Sequence, residues 1–253
     1  MRIASIGSGS RGNATLVQHE QTTLLIDCGF SLRETEKRLG ELGLDAQDID
    51  AILITHEHSD HIRGVGSFIR KYSTPVYMTH GTYRVSDIFD LHPCQEIVAG
   101  AAISIKDISI LPFAVPHDAV EPCQFVFTDG NVRIGLLTDT GMITPHIIDM
   151  LSACTALLLE CNHDIELLQQ GGYPPSLKQR VGGDYGHLNN GQAAQLLTKM
   201  DTSQLCYIAA MHLSEKNNKP ALARRALSKA LGWRMHDIQV AEQDTGLDWF
   251  QLN

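Results

Sequence analysis

The chain of 253 residues has no excess of basic charge. Its 20 Lys and Arg stand against 29 Asp and Glu, a formal net charge of −9. That balance argues against unspecific, charge-driven binding to nucleic acid, which needs a broad cationic face to neutralise phosphates. The sequence also lacks a long apolar run. None approaches the roughly 18 residues that a membrane-spanning helix requires, so no membrane-spanning helix is expected within these residues. There is no CxxC pair among Cys28, Cys94, Cys123, Cys154, Cys161 and Cys206. Most of these lie in or beside apolar runs and read as free, buried thiols in a reducing compartment. The opening MRIASIGSGSRGN is too short and polar for an export signal, so a cytoplasmic location is expected. No linker, low-complexity stretch or charge run divides the chain, so a single domain over residues 1–253 is expected.

What the sequence does contain is an interleaved pattern of strands and helices. Apolar or alternating runs predict strands at Arg2–Ile6, Ala14–Gln18, Thr22–Ile26, Ala51–Ile54, Pro75–Met78, Ser109–Val115, Gln124–Thr128, Arg133–Leu137, Ala156–Leu159 and Leu205–Ala209. Several are continuously apolar, as expected for strands covered on both faces. Asp129-Gly-Asn131 signals a hairpin, and a second hairpin is expected to end the chain, turning at Asp244-Thr-Gly246. Ser31 with Glu34 predicts a capping box ahead of a first helix. Further helices are expected from near His61 to Tyr72, from Asn189 or Asn190 to about Met200, and from Pro220 to Gly232. Asp27, His56, Asp139, Glu160 and His212 all fall at or just after apolar strands, where α/β enzymes place their chemistry. Each half of the chain carries one strand set. This suggests two sheets packed face to face, helices outside, and a site along one shared edge.

Residues 55 to 61 read Thr-His-Glu-His-Ser-Asp-His, placing His56, His58, Asp60 and His61 within six positions, directly after the run Ala51-Ile-Leu-Ile54. Imidazole and carboxylate at this density suit zinc or a similar divalent ion. Asp60 and His61 are adjacent and are expected to point different ways along a tight turn, so that one cluster serves two metals. Behind a strand, this HxHxDH motif resembles the metallo-β-lactamase superfamily of metallohydrolases. The resemblance implies an αββα four-layer sandwich, two mixed β-sheets flanked by helices. It implies further ligands in the order histidine, aspartate, histidine, matched by His117 in Val-Pro-His-Asp118, Asp139 in Leu-Leu-Thr-Asp-Thr-Gly141 and His212 in Ala-Met-His-Leu-Ser214. Carried over, His56, His58 and His117 hold one metal, Asp60, His61 and His212 hold the second, and Asp139 bridges them. Asp27, in Leu-Ile-Asp-Cys-Gly29, matches an aspartate that orients the ligand loop without binding metal.

Three more segments narrow the resemblance. Ser8-Gly-Ser-Arg-Gly-Asn13, Glu160-Cys-Asn-His-Asp164 and Tyr185-Gly-His-Leu-Asn-Asn190, with His212-Leu-Ser-Glu-Lys-Asn-Asn218, resemble the YycJ/WalJ-type branch, whose members look like 5′-to-3′ DNA exonucleases. That branch is similar to the ribonuclease Z and cyclic phosphodiesterase branches. This chain departs from the branch in having Arg11 and Asn189 where serines are usual. The expected activity is therefore hydrolysis of a phosphodiester, with DNA as partner, by a metal-bridging hydroxide that Asp60 and Asp139 orient. Two divalent cations are implied, Zn²⁺ or alternatively Mn²⁺. They would supply positive charge that the chain as a whole lacks. Ser8, Ser10, Arg11 and Asn13 are candidates to receive the scissile phosphate, and His187 and His163 are candidates for phosphate or leaving-group contact. Gly171–Ser176 is expected to shape the cleft, with Tyr173 available to stack on a base. Lys178, Arg180, Lys216, Lys219, Arg224, Arg225 and Lys229 would add phosphate contacts if they line one groove. Alternatives remain open: a small-molecule cyclic phosphodiesterase, a thioester hydrolase, or an inactive metal-stabilised binding scaffold. No membrane association and no obligate protein partner are expected, and His19, His80, His92, His146 and His236 match no motif.

Overall fold

The computed structural model describes residues 1–86 and 94–252; His92 lies outside them. The first half of the chain forms strands β1 (Arg2–Gly7), β2 (Ala14–His19), β3 (Thr22–Ile26), β4 (Ala51–Leu53), β5 (Val76–Thr79) and β6 (Gln95–Ile97). The second half adds β7 (Ile103–Ile105), β8 (Ile108–Ala114), β9 (Cys123–Thr128), β10 (Arg133–Leu137), β11 (Ala156–Glu160), β12 (Tyr207–Met211), β13 (Gln239–Val240) and β14 (Leu247–Gln251). Between them run α1 (Leu32–Glu41), α2 (Ser59–Ile62), α3 (Val65–Tyr72), α4 (His80–Val85), α5 (Pro145–Leu151), α6 (Ile165–Gln170), α7 (Pro175–Val181), α8 (Asn190–Lys199) and α9 (Pro220–Leu231). Among the described residues the strands make two sheets, ordered β14-β1-β2-β3-β4-β5-β6 and β13-β12-β11-β10-β9-β8-β7. Each sheet is mixed. β14, β1, β2 and β3 pair antiparallel and β3 to β6 parallel, while β7 to β10 pair antiparallel and β10 to β13 parallel.

The continuous apolar runs are explained by side-chain alternation with both faces covered. In β3 and β4, Leu24, Ile26, Ala51 and Leu53 point between the sheets, while Leu25 and Ile52 point outward to α1 and α3. In β11, Ala156 and Leu158 face the other sheet, and Leu157 and Leu159 pack on α5, α8 and α9. Each fully buried Leu or Ile contributes about 2 kcal/mol relative to exposure. Three apolar layers result, and the architecture is the expected four-layer sandwich of two mixed sheets flanked by helices.

Several local expectations are corrected. The helix expected from His61 to Tyr72 is two helices, α2 and α3. Gly64 separates them: its N–H donates to Cys28 O at 2.8 Å, and a Cβ there would stand 2.1 Å from Phe30 O. Asp60 and His61 accordingly sit in the one-turn helix α2, not on a simple tight turn. The capping box is half formed. Ser31 accepts from Glu34 N, but the Glu34 carboxylate bonds Arg38 Nε at 2.7 Å instead of reaching back. The terminal hairpin is not one, because β13 pairs with β12 in one sheet and β14 with β1 in the other. The turn at Asp244-Thr-Gly246 carries the chain between sheets, with a single bridge from Glu242 to Gly246. The strand expected at Leu205–Ala209 begins two residues later, at Tyr207, which brings His212 directly to its end. Among the described residues no helix is long and apolar enough to cross a membrane.

Candidate metal centre

Five strand ends converge on one edge of the sandwich. Asp27 follows β3, His56 lies three residues past β4, Asp139 follows β10, Glu160 closes β11 and His212 follows β12. Asp27, Asp139 and His212 all adopt left-handed backbone, with φ of 61°, 49° and 53°. L-residues hold this conformation at a cost, and here the surroundings enforce it. The His212 N–H donates to Ser8 Oγ at 2.8 Å. Asp27 accepts Thr55 N at 2.9 Å through one oxygen and His61 Nδ1 at 2.7 Å through the other. Asp27 therefore joins β3 to the HxHxDH segment.

The hydrogen bonds decide which nitrogen each imidazole turns inward. His61 spends Nδ1 on Asp27, leaving Nε2 at 3.2 Å from Asp139 Oδ2. His117 donates Nδ1–H to Gly186 O at 3.0 Å and presents Nε2 to His58 Nδ1 at 3.3 Å. His58 turns Nε2 to Asp118 O at 3.2 Å, so its Nδ1 faces the cluster. His212 places Nδ1 at 3.3 Å from Glu160 Oε1 and Nε2 at 3.4 Å from Asp60 Oδ2. Thr55 Oγ1 donates to Asp27 and accepts His56 Nδ1–H at 2.9 Å, which leaves His56 Nε2 buried with no hydrogen-bond partner. A buried lone pair without a donor costs about 1–3 kcal/mol unless something fills that role.

Ligand atoms from His56, His58 and His117 lie within 4.8 Å of one another, as do those from Asp60, His61 and His212. Asp139 groups with His56 and His61 on one side, and with Glu160, His187 and His212 on the other. The donor set fits two cations: orphaned imidazole nitrogen, inward lone pairs, and a buried carboxylate between two clusters. Electrostatics point the same way. Burial opposes charge on His61 and His212, yet the neighbouring carboxylates, Asp139 first, hold His61 well above the usual histidine range and His212 at about 10. Burial would likewise raise Asp139 and Glu160, but the facing histidines hold Asp139 well below the usual range and Glu160 at about 2. The buried carboxylates thus demand positive charge, which protons or metal ions can supply.

The sequence reading passed over the role of Glu160. Its Oε1 accepts from His187 Nδ1 at 2.8 Å and sits by His212 Nδ1, while Oε2 accepts the N–H groups of Thr140 and Leu188 at 3.0 and 3.1 Å. The available signal was a carboxylate closing a continuously apolar strand. The expected phosphate contacts of the Ser8–Asn13 loop need correction. Ser8 is buried and serves Asn13 and the His212 amide. Asn13 is buried too, and its amide group reaches Asp60 Oδ2 at 3.3 Å and His61 Nε2 at 3.1 Å. Arg11 is pinned to Glu215 and Asp244. Ser10 alone of these four lines the cavity over the cluster. His163 is also buried, does not line that cavity, and has its Nδ1 unpartnered; burial holds its pKa down at about 4. His187 does line the cavity, with Nε2 left over once Nδ1 bonds Glu160.

The cavity has a volume of about 390 Å³ and is lined in part by the segment running through α7, including Tyr173, Leu177 and Arg180. The segment that was expected to shape the cleft thus contributes Tyr173, and Lys216 Nζ stands 5.6 Å from that ring's centroid. Three of the basic residues are engaged: Arg180 reaches the cavity and bonds Asp118 at 2.5 Å, Lys178 bonds Gln169 O, and Arg224 is spent on Ile238 O.

Residues 22–209 match the family model described as the Beta-lactamase superfamily domain. The chain is 36% identical to the exodeoxyribonuclease YycJ of Bacillus anthracis, over 91% of this chain and 89% of the relative. It is 35% identical to the exodeoxyribonuclease WalJ of Streptococcus pneumoniae, over 97% of this chain and 90% of that one. Among solved structures, the metallo-β-lactamase fold protein YhfI from Bacillus subtilis superposes with a TM-score of 0.76 at 16% identity, covering 99% of both chains.

Proposed function

The chain belongs to the β-lactamase superfamily, and on that footing we propose that it is a two-metal phosphodiesterase removing nucleotides from DNA in the 5′-to-3′ direction, as one domain spanning residues 1–253. The observation that carries this reading is the pair of donor triads flanking Asp139 beneath an open cavity. DNA as substrate is supported by the two exodeoxyribonuclease relatives, which align over nearly the whole chain. In this reading His56, His58 and His117 would hold one ion and Asp60, His61 and His212 the other, with Asp139 a donor that groups with histidines of both sets. The imidazole-rich donor set favours zinc, and the carboxylate oxygens permit manganese. When bound, such ions supply an activated water and a Lewis acid for the phosphoryl oxygen.

The chain's own residues do the orienting. Asp27, Thr55, Gly186 O and Glu160 each hold a ligand imidazole at its Nδ1. Burial opposes charge on His187, but Glu160 and Asp139 raise its pKa, so Nε2–H is available to donate towards a phosphoryl or leaving oxygen. Tyr173 offers a face to the terminal base.

The test is purified protein with added Zn²⁺ or Mn²⁺ on end-labelled single-stranded and duplex DNA, beside the Asp60→Ala variant. Stepwise shortening from the 5′ end, lost in the variant, is expected. Turnover of bis-p-nitrophenyl phosphate with intact DNA would reassign the protein to small phosphodiesters, and full activity of the variant would sink the two-metal reading.

A further inference from the structure

A second, larger groove of about 830 Å³ is also lined by residues of α2. Ser10, Ser59 and Asp60 line both, so the two adjoin at Asp60, a candidate metal ligand. Three arginines reach the groove, and they are not equivalent. Arg11 is neutralised by Glu215 and Asp244. Arg38 is nearly buried, donates to Ile6 O and Gln243 O, and pairs with Glu34. Arg63 is exposed, and among the described residues no carboxylate pairs with it; one N–H goes to Arg11 O at 3.1 Å. A guanidinium carries five N–H donors, so most of this one is left facing the groove.

We propose that the strand retained after each cleavage leaves the centre through this groove, and that Arg63 holds one of its backbone phosphates. The inference rests on the exonuclease reading above and adds the route of the substrate. The cavity beneath α7 has the volume of a small-ligand site, which suits one terminal nucleotide. The groove is open and has about twice the volume, which suits a chain that continues. The backbone of Arg63 is held in place: it caps α2, two residues after His61, with its N–H on Ser59 O at 3.2 Å, and the next amide, Gly64 N, is fixed to Cys28 O. Its side chain therefore starts from a point fixed relative to Asp60 and reaches the groove from there. A phosphodiester next to Asp60 and the next phosphate along the strand are thus read by one short helix, and the net acidic chain needs only this unpaired cation to mark the exit side.

The experiment compares wild type, Arg63→Ala, Arg63→Lys and the control Arg70→Ala, which removes an exposed arginine on α3 outside the groove. Metal-loaded proteins are assayed on an end-labelled 20-nucleotide single strand and on bis-p-nitrophenyl phosphate. For Arg63→Ala, kcat/KM on the strand is expected to fall about tenfold, chiefly through KM, and the salt dependence to lose about 0.7 in log–log slope, as for one lost phosphate contact. Arg63→Lys should recover part of the loss, and the small substrate should lose less than about threefold, because it has no second phosphate to contact. Equal losses on both substrates, or none on the strand while wild type degrades it, would overturn the groove assignment alone. A wild-type protein that degrades no DNA would overturn both this assignment and the exonuclease reading beneath it.

Discussion

Glu160 shows how a single residue's chemistry is set by its neighbours. Both carboxylate oxygens are saturated, one by His187 and His212, the other by two backbone N–H groups. Replacement by Gln keeps the shape but substitutes an NH₂ for one oxygen, which then faces either a histidine N–H or two amide N–H groups. Glu160→Gln is expected to lower kcat and metal occupancy by about 10–100-fold, the usual cost of losing the partner that orients a ligand imidazole. Metal stoichiometry measured with DNA turnover checks this. Wild-type values for both would deny Glu160 its orienting role. At this scale the sequence was informative about donors and silent about lone pairs. His56, His58, Asp60 and His61 are recognisable because they crowd six positions, whereas Ser8 and Asn13 looked like phosphate contacts and are spent on His212, Asp60 and His61.

At the scale of elements, α2 matters most, since one turn of helix carries Asp60 and His61. It is packed by close backbone approach. Asn13 N donates to Asp60 O at 2.7 Å, Gly29 N donates to Asn13 O at 3.0 Å, and a Cβ on Gly29 would fall 1.7 Å from Asp60 O. Gly29→Ala must therefore push α2 away from the segment after β3. A loss of about 3 kcal/mol is expected from such overpacking against backbone, together with loss of activity, read by urea denaturation and DNA turnover. An unchanged unfolding midpoint would mean that α2 shifts freely. Strands β1 to β4 and β8 to β11 were visible in the sequence because apolar runs report burial on both faces. The break at Gly64 was not, because its cause is a neighbouring carbonyl rather than a local propensity.

At the scale of the molecule, the three apolar layers hold the sandwich independently of the centre, while the centre concentrates buried carboxylates that need positive charge. Stripping metal with a chelator should abolish turnover and lower the unfolding temperature without unfolding the chain at ambient temperature. Ions that bind only the native state at a free concentration near 1,000 Kd would contribute about 4 kcal/mol. Calorimetry before chelation, after it, and after metal is restored checks this; an unfolding temperature indifferent to chelation would argue against bound ions in the native protein.

The sequence by itself determined the donors, their order and the alternation that makes two doubly covered sheets, because spacing and side-chain period act over a few residues. Tertiary structure alone decided which imidazole nitrogen faces inward, that β13 and β14 belong to different sheets, and that a groove lined by Arg63 adjoins the cavity at Asp60. Those features depend on partners far apart in the chain: Asp27 and His61 are 34 positions apart, Asp60 and His212 are 152, and Ser8 and His212 are 204. Short-range pattern carries no information about such pairs until the sheets have packed.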